Sequence, residues 1–376
     1  MFRSASSQLF LLILSYVLDW ALLVVLAVLG YVVNNLSPNH HAFSLVDPSI
    51  SYPFHNDTIS IGVVALVSAV APVIIIAIIT FLFVPGPTVP KGTPQSLVWR
   101  RRLWELHASW LGLATSLAAA WFITNGLKNL LGKPRPNMLG RCQPDLDNIA
   151  AHVVGGVLTA TSDGRLVTSS ICMNPDKSIV DEGFRSFPSG HSTISSAGLV
   201  YLSLFLASKL SVGIPFLHPR VFTGDEAHFS AFPSRTSYRN ISSPIQLEPR
   251  RVSQQQTNQG HLPEYNQMLQ PENIIAARTQ AAAPPLYLTI LILIPLFTAV
   301  FICASRWFDF QHHGFDILLS FAFGTTVAII AFNYYHLPIG RGGGWAWGPR
   351  SKSRAFWAGV GSASYAGEKL NTEDAV

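Results

Sequence analysis

The sequence predicts an all-α polytopic membrane protein with six transmembrane helices. Of its 376 residues, 49% are hydrophobic and only 12% are charged, and the mean hydropathy is +0.33. Soluble domains carry roughly 25% charged residues. Six apolar runs approach the roughly 20 residues that a helix needs to cross a bilayer. Lys and Arg are shared unevenly among the loops that join them.

The first run, residues 9–33, is too long for the apolar core of a cleavable signal and reads as a true span. Asp19 inside it is a costly carboxylate, and a structural polar contact is its simplest explanation. The second run covers residues 59–84. The third, 103–126, is the weakest, because Glu105 and His107 sit near its start. The fourth, 191–212, is softened by serines, and the last two cover 285–304 and 312–335. There is no internal repeat.

Orientation follows from the loop cations. Loop 34–58 has none, whereas loop 85–102 carries Lys91, Arg100, Arg101 and Arg102. The tail carries Arg341, Arg350, Lys352, Arg354 and Lys369. Both termini and the second and fourth loops therefore belong in the cytosol, and the other loops face the lumen or exterior. The third loop, 127–189, breaks the rule with Lys128, Lys133, Arg135, Arg141, Arg165, Lys177 and Arg185. Anion binding is a reason to keep basic residues on that side.

The organisation is a membrane domain over residues 9–335, a cytosolic insertion at 213–283 and a flexible cytosolic tail at 336–376. The insertion is rich in Gln, Ser, Pro, Asn and Arg without apolar periodicity, and reads as disordered. Ser234, Ser237, Ser242 and Ser253 lie near arginines there, a phosphorylation pattern that a passive linker also accounts for. Trp345, Trp347 and Trp357 suit either an interfacial anchor or a flexible tail. The net charge of +5 is scattered over loops, which suits anionic head groups and excludes a nucleic-acid stripe. Three cysteines show no zinc spacing. Cys142 and Cys172 share the third loop and can pair if it faces an oxidising compartment.

Three polar segments flank the spans on the non-cytosolic side. Residues 305–316, SRWFDFQHHGFD, form an island between the last two runs. A helix over His312 and Asp316 puts them one turn apart on one face. The carboxylate then takes one ring N–H and leaves the other nitrogen as a lone pair, the wiring of a nucleophile or base. Arg306 is a permanent cation beside it. Residues 128–136, KNLLGKPRP, hold Lys128 on a last helical turn and Arg135 in a proline-fixed stretch. Residues 185–193, RSFPSGHST, turn into a helix whose free N–H groups suit phosphate. There Gly190 permits close approach, Ser189 adds a hydroxyl, and His191 can protonate a leaving oxygen. Taken alone, residues 305–316 read equally as a helix start with a hydrated histidine pair and a snorkelling Arg. Residues 128–136 read sooner as an ordinary helix end with snorkelling charges, and residues 185–193 as a capped helix start. Together they supply two histidines, three cations and an orienting carboxylate, a phosphoryl-transfer kit without a metal or other cofactor.

The pattern Lys-x6-Arg-Pro, Pro-Ser-Gly-His and Ser-Arg-x5-His-x3-Asp resembles the type 2 phosphatidic acid phosphatase superfamily. The likeness extends over about residues 9–335 and is nearest to lipid phosphate phosphatases, including fungal diacylglycerol pyrophosphate phosphatases. The resemblance implies that His312 attacks phosphorus to form a phosphohistidine. It implies that Asp316 orients His312 and that His191 serves as acid and then base. Lys128, Arg135, Ser189, Gly190 and Arg306 would hold the phosphoryl oxygens. Phosphatidate, lysophosphatidate and diacylglycerol pyrophosphate are the expected substrates, without magnesium. Sphingoid-base or polyprenyl phosphates, head-group transfer, and a non-catalytic lipid carrier or receptor are the competing readings. The expected location is an endomembrane or the plasma membrane, with the active site at the lumenal or exterior helix ends.

Overall fold

Long apolar runs in lipid must satisfy every backbone N–H and C=O within themselves, so they fold as helices. The computed structural model describes residues 5–86, 89–90, 92–159, 163–213, 283–339, 344–352, 355–356 and 365. The first helix, α1, runs Ala5–Asn34. The second, α2, runs Ile61–Phe83 and contains a π-helical turn at Leu66–Val70. The third, α3, runs Gln95–Leu131. Two short helices follow on the connecting loop, α4 at Met138–Cys142 and α5 at Lys177–Gly183. Between them lies an antiparallel hairpin of β1, Val153–Leu158, and β2, Asp163–Val167, which the sequence reading did not anticipate. The remaining helices are α6, Gly190–Lys209, α7, Leu286–Phe308, and α8, Gly314–Tyr335.

Five described helices, α1, α2, α3, α7 and α8, are long and apolar enough to cross a membrane, so the chain is an all-α, multi-pass membrane protein. The serine-rich α6 has 20 residues but lacks the apolarity of the others. It lies at the centre, packed against α3, α7 and α8. Several of its hydroxyls return to its own backbone: Ser196 Oγ donates to Ser192 O at 2.8 Å and Thr193 Oγ1 to Ser189 O at 3.0 Å. Most of this polar helix's hydroxyls are thereby satisfied among its apolar neighbours, with Ser203 Oγ an exception. The α2–α6 contact is also close. Pro72 cannot donate to the Ser68 carbonyl, and that oxygen sits 1.9 Å from where a Cβ on Gly198 would lie. Apolar side chains such as Val24, Ile78, Phe297 and Ile330 remain exposed on α1, α2, α7 and α8, as lipid-facing surfaces should.

Loops 34–58 and 127–189 form their own small core. Phe43, Ile50, Met138, Val167, Ile171 and Phe184 cluster around a Cys142–Cys172 disulfide. At the opposite end, Glu105 of α3 is fully buried and accepts from Lys209, from Arg101 at 3.2 Å and from the Ala346 backbone N–H at 3.2 Å. Residues 344–347 run along the end of α8, with Leu337 N–H donating to Trp345 O at 2.8 Å. Asp19 finds its polar contact in Arg350, 2.6 Å away. Nearly all of the 213–283 insertion, with Ser234, Ser237, Ser242 and Ser253, lies outside the described residues, as does Trp357.

Two boundaries differ from the sequence reading in ways that matter for the site. The fifth run was expected to end at residue 304, but α7 continues to Phe308 and carries Arg306 on its last turn. The sixth run was expected to start at His312, but α8 starts at Gly314, with His313 as its N-cap. His312 therefore sits on the connecting loop.

Candidate active site

Lys128 from α3, Arg135 from the proline-fixed stretch, Gly190 and His191 from α6, Arg306 from α7 and His312 line one cavity of about 400 Å³. Of the eight predicted site residues, these six come together on its wall. The remaining two, Ser189 and Asp316, are fully buried just behind it.

His312 is 2% exposed, and its Nδ1 lies 2.6 Å from the Ser186 carbonyl oxygen. A carbonyl only accepts, so Nδ1 carries the proton and Nε2 keeps its lone pair. Burial, and then the positive charges of Arg135 and Lys128, hold the His312 imidazole well below the usual histidine range. It is thus neutral, as a nucleophile must be.

Asp316 was expected to hold His312 directly, and it does not. Because α8 starts at Gly314, Asp316 occupies the third helical position and is committed to capping. It accepts from the His313 backbone N–H at 3.3 Å and lies 3.2 Å from His313 Nδ1. It also accepts from Ser186 Oγ at 2.7 Å and pairs with Lys133 at 2.7 Å. Its link to His312 runs through Ser186, whose hydroxyl it holds and whose carbonyl holds the ring.

Arg306 is 1% exposed and held at both guanidinium ends, by Asp57 at 3.0 Å and by Asp309 at 2.7 Å. Asp309 in turn accepts from Thr58 N–H at 2.8 Å. Arg306 and His191 share one acceptor, the Ile59 carbonyl, at 3.2 and 3.0 Å. The start of α2 thus aligns both. Ser189 is the N-cap of α6, its N–H given to Ser320 Oγ at 2.7 Å, and its hydroxyl accepts from Ser192 Oγ at 3.1 Å. Gly190 lies against the Lys128 ammonium: a Cβ there would sit 3.1 Å from Lys128 Nζ, tight enough to displace it by a few tenths of an ångström.

The structure adds four residues the sequence reading did not single out as site residues. Ser186 is described above. Gln311 accepts from both Arg135 and Arg141 at one oxygen. Glu182 pairs with Arg135 and with Arg185. Burial works to raise the Glu182 pKa, but the charges of Arg135, Lys128 and Arg185 prevail and bring it to about 2. Arg141 lines the cavity from α4. The surplus of cations in the third loop was the signal for Arg141; nothing in the local sequence marked Glu182.

A sequence model of the PAP2 superfamily matches residues 109–223 and 254–338. Lipid phosphate phosphatase 2 of Arabidopsis thaliana is 32% identical over 197 residues, 52% of this chain and 57% of that protein. Diacylglycerol pyrophosphate phosphatase 1 of Saccharomyces cerevisiae is 30% identical over 200 residues, 53% of this chain and 61% of its own length. The probable diacylglycerol pyrophosphate phosphatase 1 of Schizosaccharomyces pombe is 31% identical over 198 residues, 52% and 60% of the two chains. The chain thus spans little more than half the length of these curated relatives. No solved structure matches it.

Proposed function

The chain belongs to the PAP2 superfamily, and on that premise we propose that it removes the terminal phosphoryl group of membrane lipid phosphates through a phosphohistidine. The observation that carries this reading is His312, buried, neutral and fixed at Nδ1, in a cavity with three motif cations and a second histidine. His312 Nε2 gives its lone pair to phosphorus as the bond from phosphorus to the lipid oxygen breaks. That oxygen keeps the bonding pair and takes a proton from His191. His191 then takes a proton from water, the water oxygen bonds phosphorus, and the P–N bond breaks to restore His312. Lys128, Arg135, Arg306 and the N–H groups at the start of α6 hold the phosphoryl oxygens, with the Ser189 hydroxyl beside them. Fixed cations supply the charge stabilisation that a metal supplies elsewhere, so no metal is required.

Phosphatidate, lysophosphatidate and diacylglycerol pyrophosphate are the substrates this reading favours, in keeping with the names of the relatives. We read α6 as a sixth span, since it is enclosed by helices that are themselves apolar enough to cross. The disulfide on the loop carrying Arg135 suits a site facing the lumen or exterior, where such bonds persist. The test is phosphate release by purified protein from mixed micelles of each lipid in EDTA. Release that continues in EDTA is expected. Activity lost in EDTA and restored by magnesium would refute the metal-free reading, and lipid binding without release would make the protein a carrier.

A further inference from the structure

Arg141 is a buried cation that the chemistry above leaves idle. It is 5% exposed and lines the cavity. All its hydrogen bonds among the described residues go to neutral oxygens: Asn137 Oδ1 at 2.9 Å, Ile179 O at 3.4 Å and Gln311 Oε1 at 2.9 Å. The Phe54 ring lies 4.5 Å from its guanidinium carbon. Its neighbours around the cavity differ. Arg306 has Asp57 and Asp309, and Arg135 has Glu182. Glu182 and Asp57 act on Arg141 only from beyond ion-pair distance, and a buried guanidinium with no carboxylate in contact is costly and points to an anion that arrives with the ligand. Burial and the Arg135 charge already bring the Arg141 pKa down to about 10.

The placement of Arg141 is specific. Arg135 and Arg141 donate to the same Gln311 oxygen, so their guanidinium groups are neighbours, and Gln311 directly precedes His312. Arg141 is also rigid: Cys142, next in sequence, is fully buried in the disulfide, and Arg141 O accepts from Asn174 at 2.7 Å. Lys128, Arg135 and Arg306 suffice for one phosphoryl group, which leaves Arg141 for a second negative group bonded to the first.

The structure assigns Arg141, set by Gln311, to a second anion subsite that holds the inner phosphate of a lipid diphosphate while His312 attacks the outer one. This inference rests on the phosphatase reading and narrows its substrate class to diphosphate head groups. The outer phosphorus bonds to His312 Nε2, the bond from it to the bridging oxygen breaks, and that oxygen leaves with the electron pair as part of the lipid monophosphate. Arg141 faces the charge that develops on the leaving phosphate, so it acts on turnover as well as on affinity.

The test compares wild type with Arg141→Gln and Arg141→Lys. Diacylglycerol pyrophosphate and phosphatidate are assayed separately, and the readout is the ratio of their kcat/KM values. The ratio should fall about tenfold or more in Arg141→Gln, the loss of one charge-assisted contact, and recover in part in Arg141→Lys. An equal loss on both lipids, or no loss on either, would overturn the assignment. Competition with methylene diphosphonate and methylphosphonate, read by ligand-induced thermal stabilisation of wild type, needs no turnover. The diphosphonate should act at about tenfold lower concentration, and equal potency of the two would refute the subsite. If wild type hydrolyses neither lipid yet prefers the diphosphonate, the catalytic reading fails while the subsite stands.

Discussion

The decisive contact at the residue scale is a backbone carbonyl. His312 Nδ1 is bound by Ser186 O, and Asp316 acts through the Ser186 hydroxyl. This separates the adjacent histidines. His313 caps α8 and binds Asp316, whereas His312 lines the cavity. In rapid-quench trapping of labelled phosphate, His312→Ala should give no phosphoenzyme. His313→Ala should still trap label, with a stability loss of about 1 kcal/mol from the missing cap. Label present in the first variant and absent in the second would reverse the roles. The same assay carries a pH signature. A protonated His312 has no lone pair, so on the acid side trapping fails below its depressed pKa. The acid limb should therefore lie well below the pH of about 6.5 at which an ordinary histidine is half protonated.

The gathering of these residues at one cavity was legible in their types and spacing, but their wiring was not. The i, i+4 argument for His312 and Asp316 presumed a helix over both. It failed because a histidine at the N-cap and an aspartate three positions on form a capping box that starts α8 at Gly314. That pattern was itself present in the sequence.

At the element scale, each site group sits at the end of a different support: α3, the proline-fixed stretch, α6, α7 and the loop before α8. The apolar runs announced the helices that face lipid. They understated α6, because most of its serines satisfy their hydroxyls within the helix and its burial comes from neighbouring helices. The third loop was least legible, since its core combines residues as distant as Phe43 and Phe184. The disulfide ties α4 to that core, spanning 30 residues. In the chain-entropy account such a loop is worth on the order of 3 kcal/mol. The double variant Cys142→Ser with Cys172→Ser should therefore lower Tm measurably. It should also lower turnover at temperatures where the protein remains folded, since Arg141 and Asn137 both depend on α4. Unchanged Tm and turnover would show that the apolar cluster alone fixes the loop.

At the scale of the whole molecule, aromatic side chains mark the level of the site. Trp307, Phe308 and Phe315 are 62%, 74% and 66% exposed beside the α7–α8 turn that carries His312. Aromatic residues collect where bilayer meets water, which is where a lipid head group lies. On the proposed function, a site at that depth would take its lipid substrate directly from the leaflet, without a path through the protein. Four of the seven cations that break the positive-inside pattern pair with native carboxylates. Lys133 pairs with Asp316, Arg135 and Arg185 with Glu182, and Arg165 with Asp163. The unbroken part of the pattern, Arg100 to Arg102 at the start of α3 against none in loop 34–58, predicts a cytosolic start for α3. Exposed positions on the two sides test it, with Cys303 buried and the other cysteines bonded. In sealed cells or right-side-out vesicles from a membrane whose non-cytosolic face is accessible, an impermeant maleimide should label Asp147→Cys directly. Ser96→Cys should react only after permeabilisation. The opposite pattern would invert the topology and put the phosphatase site in the cytosol.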